Sequence, residues 1–107
     1  MTDTGADRLR TLFETVRAEG RAALLPYLTA GIPDVDSSVA MFEAMSDAGA
    51  DGFEIGVPYA DPLMDGPVIA AAASRALAAG VTIGDSLEIA ERVTALTGKP
   101  VLLMTYT

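Results

Sequence analysis

The 107 residues include no cysteine and no histidine. A disulfide framework is therefore excluded, and so are the usual zinc sites built on those side chains. Positive charge is also scarce: Lys and Arg total 7 against 15 acids, a net charge of −8. That balance argues against nucleic acid and against an anionic membrane surface as partners. No apolar run in the sequence approaches the ~20 residues needed to cross a bilayer. The opening Met1-Thr-Asp-Thr-Gly-Ala-Asp7 has no basic segment leading into an apolar run, so it does not read as a signal peptide. A cytoplasmic protein is expected. What the chain does have is apolar content: 50% of its residues are hydrophobic, enough for one small domain with a modest core rather than a disordered segment.

The apolar residues fall into helix and strand periods in alternation. Leu9, Leu12, Phe13 and Val16 form one stripe of a helix from about Asp7 to Glu19, ended by Gly20. Leu24 to Thr29 reads as a short buried strand, with an irregular spot at Pro26, which has no N–H to donate. After the turn Ala30 to Asp34, a helix is expected from a cap at Asp36 or Ser37 to Ala48, with Gly49 beyond it. Phe53, Ile55 and Val57 alternate with Glu54 and Gly56, the period of a strand. Pro67 opens an alanine-rich helix that Gly80 stops. Thr82 and Asp85 have the spacing of a capping box for a helix to about Thr97, with Ile83, Leu87, Ala90 and Val93 or Thr94 as its apolar side. Gly98-Lys-Pro100 breaks the chain, and Val101 to Thr107 is a third strand.

Strands separated by helices imply parallel pairing. Their near-continuous apolar runs suit strands covered on both faces. Three parallel strands leave two open edges and cannot close on themselves, whereas a complete eight-stranded barrel needs roughly 250 residues. The fold class expected is α/β: a TIM (β/α)8 barrel of which residues 1–107 form a partial single domain, truncated after the third strand.

Glu54 is the first candidate for chemistry. If Phe53, Ile55 and Val57 face the helices, Glu54 faces the barrel interior near the carboxyl end of its strand, where barrel enzymes place catalytic groups. An interior acid is costly unless paired or used, so the alternative is a structural carboxylate held by an arginine or a backbone amine. Asp65 precedes Gly66-Pro67 at a helix start and reads equally as a cap or a favourable charge at the helix dipole. Asp61 before Pro62 is a usual turn initiator. Tyr27 and Tyr106 lie near strand ends, where they line a pocket or belong to the core. The glycines near position 56 make no dinucleotide fingerprint, because no phosphate-cradling loop opens a helix there.

Taken together, these segments resemble the N-terminal part of the tryptophan synthase alpha chain family. The resemblance runs through Leu25-Pro-Tyr-Leu-Thr-Ala-Gly-Ile-Pro-Asp34, Gly49-Ala-Asp51, Glu54 to Pro67, Arg75 to Thr82 and Leu103-Met-Thr-Tyr106. Met64 stands where a small residue is common, and Tyr59-Ala60 is a mild variation. The resemblance implies a barrel that cleaves indole-3-glycerol phosphate into indole and glyceraldehyde 3-phosphate, with Glu54 and Asp65 as the catalytic carboxylates and Tyr27 and Tyr106 against the substrate. It implies no metal or organic cofactor for this subunit. It also implies a pyridoxal-phosphate beta chain as partner in an alpha2-beta2 tetramer, contacted through the loop Tyr59 to Asp65, which makes Asp61 a partner-loop residue rather than a catalyst. The family's phosphate-binding glycines and substrate-closing loop belong to a second half of the barrel outside this stretch. Other phosphate-binding barrels share Gly-Ala-Asp before a strand, but not an interior Glu followed by a double-Asp loop. An association module without catalysis is the remaining alternative.

Overall fold

The computed structural model describes residues 4–61 and 65–106. The elements follow the order α1 (Gly5–Ala18), β1 (Tyr27–Thr29), α2 (Val35–Asp47), β2 (Phe53–Gly56), α3 (Pro67–Ala78), α4 (Ile83–Thr97) and β3 (Val101–Met104). The strands form one parallel sheet in the order β1-β2-β3. Tyr27, Glu54 and Leu102 stand level across it, as do Thr29, Gly56 and Met104. Period-2 alternation therefore puts these six residues on one face and Leu28, Phe53, Ile55 and Val101 on the other.

That second face carries the core. Phe42 and Val39 of α2 and Ile89 and Val93 of α4 close over Phe53 and Ile55, with Ala30 and Ala50 filling in. The Phe42 and Phe53 rings meet edge to face, 5.4 Å between centroids at 71°. Both rings are wholly buried, and burial of a side chain of that size stabilises by about 1.5–3 kcal/mol. Thr82 and Asp85 form the expected capping box at the start of α4.

Several expectations need correcting. The cap of α2 is Asp34, whose carboxylate accepts from the Ser37 amide at 2.7 Å; Asp36 and Ser37 lie inside the first turn. The first strand begins at Tyr27 rather than Leu24, and Leu24 is 61% exposed. With no N–H at Pro26, pairing before Tyr27 is one-sided: the carbonyls of Leu24 and Pro26 accept from Asp51 and Glu54, each at 2.9 Å. The buried side of α4 is Ser86, Ile89 and Val93; of the expected stripe Val93 is buried and Ala90 packs against the core, but Ile83 and Leu87 do not join them. Ser86 turns inward because its hydroxyl bonds back to the Thr82 carbonyl at 3.3 Å, which makes a small polar residue acceptable against the core. Ile83 and Leu87 are left exposed, as is Phe13 of α1, where only Val16 of the expected stripe is buried. The last strand is not covered on both faces either, since Leu102, Leu103 and Met104 are all exposed. It is an edge of the sheet and ends at Met104; Thr107 and the Met64 variation lie outside the described residues.

The amino ends of the strands are tied together by charge. Arg21 pairs with Asp51 at 3.0 Å, and Asp51 also accepts from the Leu24 amide at 2.8 Å. The Arg21 guanidinium and that amide hold the Asp51 carboxyl below the usual carboxylate range. The Lys99 ammonium donates to the carbonyls of Ala50 at 2.7 Å and Ser46 at 3.1 Å. These clamps join the chain before β1, the chain before β2 and the turn before β3 at the end where barrels keep stability rather than chemistry.

Candidate active site

At the other end of the sheet is a cleft of about 480 Å³. Its floor is the face that carries Tyr27, Thr29, Glu54 and Met104, and its sides include Val57, Asp65, Ile69, Thr105 and Tyr106. Glu54, on the central strand, therefore shares one hollow with Asp65, which sits just before α3. Phe53 and Ile55 face the core as expected, so the register expected for Glu54 holds. Val57 does not join them. The strand ends at Gly56, the alternation stops with it, and Val57 lines the cleft.

The cap of α3 is Gly66, and it makes no side-chain capping bond. Asp65 is thus one residue too early to cap the helix, and the capping alternative for it fails. Its charge remains next to the positive end of the helix dipole. Asp61 is exposed on the loop and is not among the residues lining the cleft. Among the described residues, no group of three or more acidic side chains converges as a metal site would.

Tyr27 lines the cleft from its floor and Tyr106 from its side. The Tyr27 hydroxyl lies 3.2 Å from Thr29 Oγ1, and its ring crosses the backbone at Gly56. A Cβ at Gly56 would collide with that ring and its hydroxyl. Gly56 is therefore the residue that lets Tyr27 lie down over β2. Tyr106 stacks on Tyr59, 4.9 Å between centroids at 22°. Sequence reasoning missed Thr29 and the need for a bare Gly56. Parity was a sufficient signal for Thr29, which is two residues from Tyr27 on the same strand. Gly56 required the register between strands, which the sequence does not state.

Among the described residues, no single helix is long and apolar enough to cross a membrane. Three parallel strands joined through helices, with an acid projecting from the central strand into a cleft at the carboxyl end, are the arrangement of part of a TIM (β/α)8 barrel, the fold class of the structures this chain superposes on. The family model for the tryptophan synthase alpha chain matches residues 13–107. The tryptophan synthase alpha chain of Salinispora tropica is 50% identical over 99 residues, which cover 92% of this chain and 37% of that one. The Salinispora arenicola alpha chain is 52% identical over 94 residues, covering 88% and 35%. Among solved structures, tryptophan synthase from M. tuberculosis in its aminoacrylate-bound form superposes with a TM-score of 0.86 at 46% identity, over 92% of this chain and 40% of that one. Tryptophan synthase subunit alpha from Legionella pneumophila gives 0.79 at 36% identity. The chain belongs to the tryptophan synthase alpha chain family. It spans little more than a third of the length of the curated relatives it matches.

Proposed function

We propose that this chain supplies the acid–base pair of a lyase in tryptophan biosynthesis, one that cleaves indole-3-glycerol phosphate into indole and glyceraldehyde 3-phosphate. The observation that carries the proposal is the meeting of Glu54 and Asp65 in one cleft, from separate elements, with Asp65 relieved of any capping duty. Retro-aldol cleavage removes a proton from the side-chain hydroxyl and adds one to the indole ring carbon. Glu54 does both, taking the first proton and delivering the second. Protonating the ring carbon leaves positive charge at the ring nitrogen, and Asp65, hydrogen-bonded to that N–H, stabilises it. Tyr27 and Tyr106 flank the ring. The remaining barrel strands, with the phosphate anchor, complete the site in the full-length protein.

The same reading assigns the loop Tyr59 to Asp65, and Asp61 in it, to contact with a beta chain in an alpha2-beta2 assembly, and it places the enzyme in the cytoplasm. The exposure of Asp61, outside the cleft, supports a role toward a partner rather than the substrate.

The test uses a full-length alpha chain carrying this sequence as its first part, with indole release from indole-3-glycerol phosphate as the readout. Glu54→Gln keeps size and hydrogen bonding but cannot exchange the proton, so turnover is expected to vanish while the fold survives. Near-normal turnover in that variant rejects the assignment.

A further inference from the structure

The stack of Tyr59 on Tyr106 joins two parts of the site that are far apart in sequence. Tyr59 follows the buried Pro58 on the loop that leads from β2 toward Asp65, and Tyr106 lies two residues beyond β3. Only Tyr106 lines the cleft; Tyr59 lies behind it and is 43% exposed. The backbone ties the same two segments a little lower, where the Val57 amide donates to the Met104 carbonyl at 2.9 Å. Tyr106 is thus a wall whose far face is covered by another ring in a near-parallel arrangement of the favourable kind.

We infer that Tyr59 is a positioning residue: stacked on Tyr106, it fixes the ring that forms the β3 side of the cleft. This deepens the reading of the cleft as an indole-3-glycerol phosphate site and rests on it. Tyr59 touches no reacting atom. It acts by cutting the rotamer freedom that Tyr106 would otherwise lose when substrate binds, which is a gain in preorganisation. A wall of this kind holds substrate and transition state alike, so its loss falls on KM more than on kcat.

The experiment compares Tyr59→Ala and Tyr59→Phe in the full-length alpha chain carrying this sequence, assayed without a beta chain so that loop–partner contacts play no part. Tyr59→Ala is expected to raise KM for indole-3-glycerol phosphate by about three- to tenfold, the range an aromatic pair is worth, with kcat within about twofold. Tyr59→Phe keeps the ring and is expected to restore KM to within about twofold of the parent. A merely structural residue would lower the active fraction, and so kcat, without moving KM. An unchanged KM in Tyr59→Ala, or a Tyr59→Phe as impaired as the alanine variant, overturns the inference. A crystal structure of the Tyr59→Ala protein reads the positioning without turnover: the Tyr106 ring is expected to shift or to occupy more than one rotamer, and an unmoved ring overturns the inference. An inactive parent would sink the functional reading instead, and that structure would still decide the role of Tyr59.

Discussion

Replacing Gly56 by alanine tests the register on which the cleft depends. The φ of Gly56 is not among the positive values found at other glycines, so alanine fits the backbone without strain. Removing a glycine from the unfolded chain would by itself stabilise by about 0.4–1 kcal/mol. The new Cβ, however, falls where the Tyr27 ring already lies. Forcing an extra methyl into filled space costs about 1–3 kcal/mol. If the ring swings away, the 3.2 Å contact between its hydroxyl and Thr29 Oγ1 goes with it, a further loss of about 1 kcal/mol. The net expectation is a destabilisation of about 1–3 kcal/mol. The sign should change when the ring is removed first. In a Tyr27→Ala background, Gly56→Ala becomes neutral or stabilising by up to about 1 kcal/mol, a coupling of about 1–4 kcal/mol between the two sites. Equilibrium urea unfolding of the four full-length proteins measures it. If Gly56→Ala costs as much without Tyr27 as with it, the ring does not fill that space and the geometry of the cleft floor is wrong.

Two further outcomes follow from features away from the floor. Asp51 has a folded pKa depressed first by Arg21 and then by the Leu24 amide, so it contributes stability above its unfolded value near 4 and loses it as the pH falls through the lower folded value. Asp51→Asn should be less stable than the parent at pH 7, with the gap narrowing below about pH 4; a gap that stays constant down that range would assign the cost to packing. The 107-residue chain on its own is expected to release no indole and to associate, because Phe13, Ile83, Leu87 and the face of β3 are left exposed. A stable monomer on sizing chromatography with measurable cleavage would refute both points.

Helix and strand periods carried most of the fold into view. The alternation through Phe53, Glu54 and Ile55 was readable because one face is buried, and a one-residue slip would have exposed two fully buried side chains. The α4 face was misread because apolar periodicity counts Ile83 and Leu87 but not Ser86, whose inward turn depends on a backbone carbonyl one turn earlier. Asp34 lost out to Asp36 as the expected cap because both residues suit the role, and only the path of the preceding turn chooses between them. At the site, Glu54 was legible as an unusual residue in its strand, whereas Asp65 read locally as a cap or a dipole charge and only the family resemblance set the two together. Their meeting was not locally legible, since it depends on how α3 lies across β1. The contact of Tyr27 with Gly56 is a diagonal one between strands, and that of Tyr59 with Tyr106 joins segments beyond two strand ends, neither of which a local pattern encodes.

Among the described residues, β2 is the one strand with a neighbour on each side. Its backbone amides alternate between them: Phe53 donates to Pro100, Glu54 to Pro26 and, just past the strand, Val57 to Met104. An amide held this way meets deuterated solvent only when the sheet itself comes apart, so its exchange follows global opening rather than local breathing. The residue proposed to move protons during turnover is thus fixed to the stretch of backbone expected to give up its own protons last.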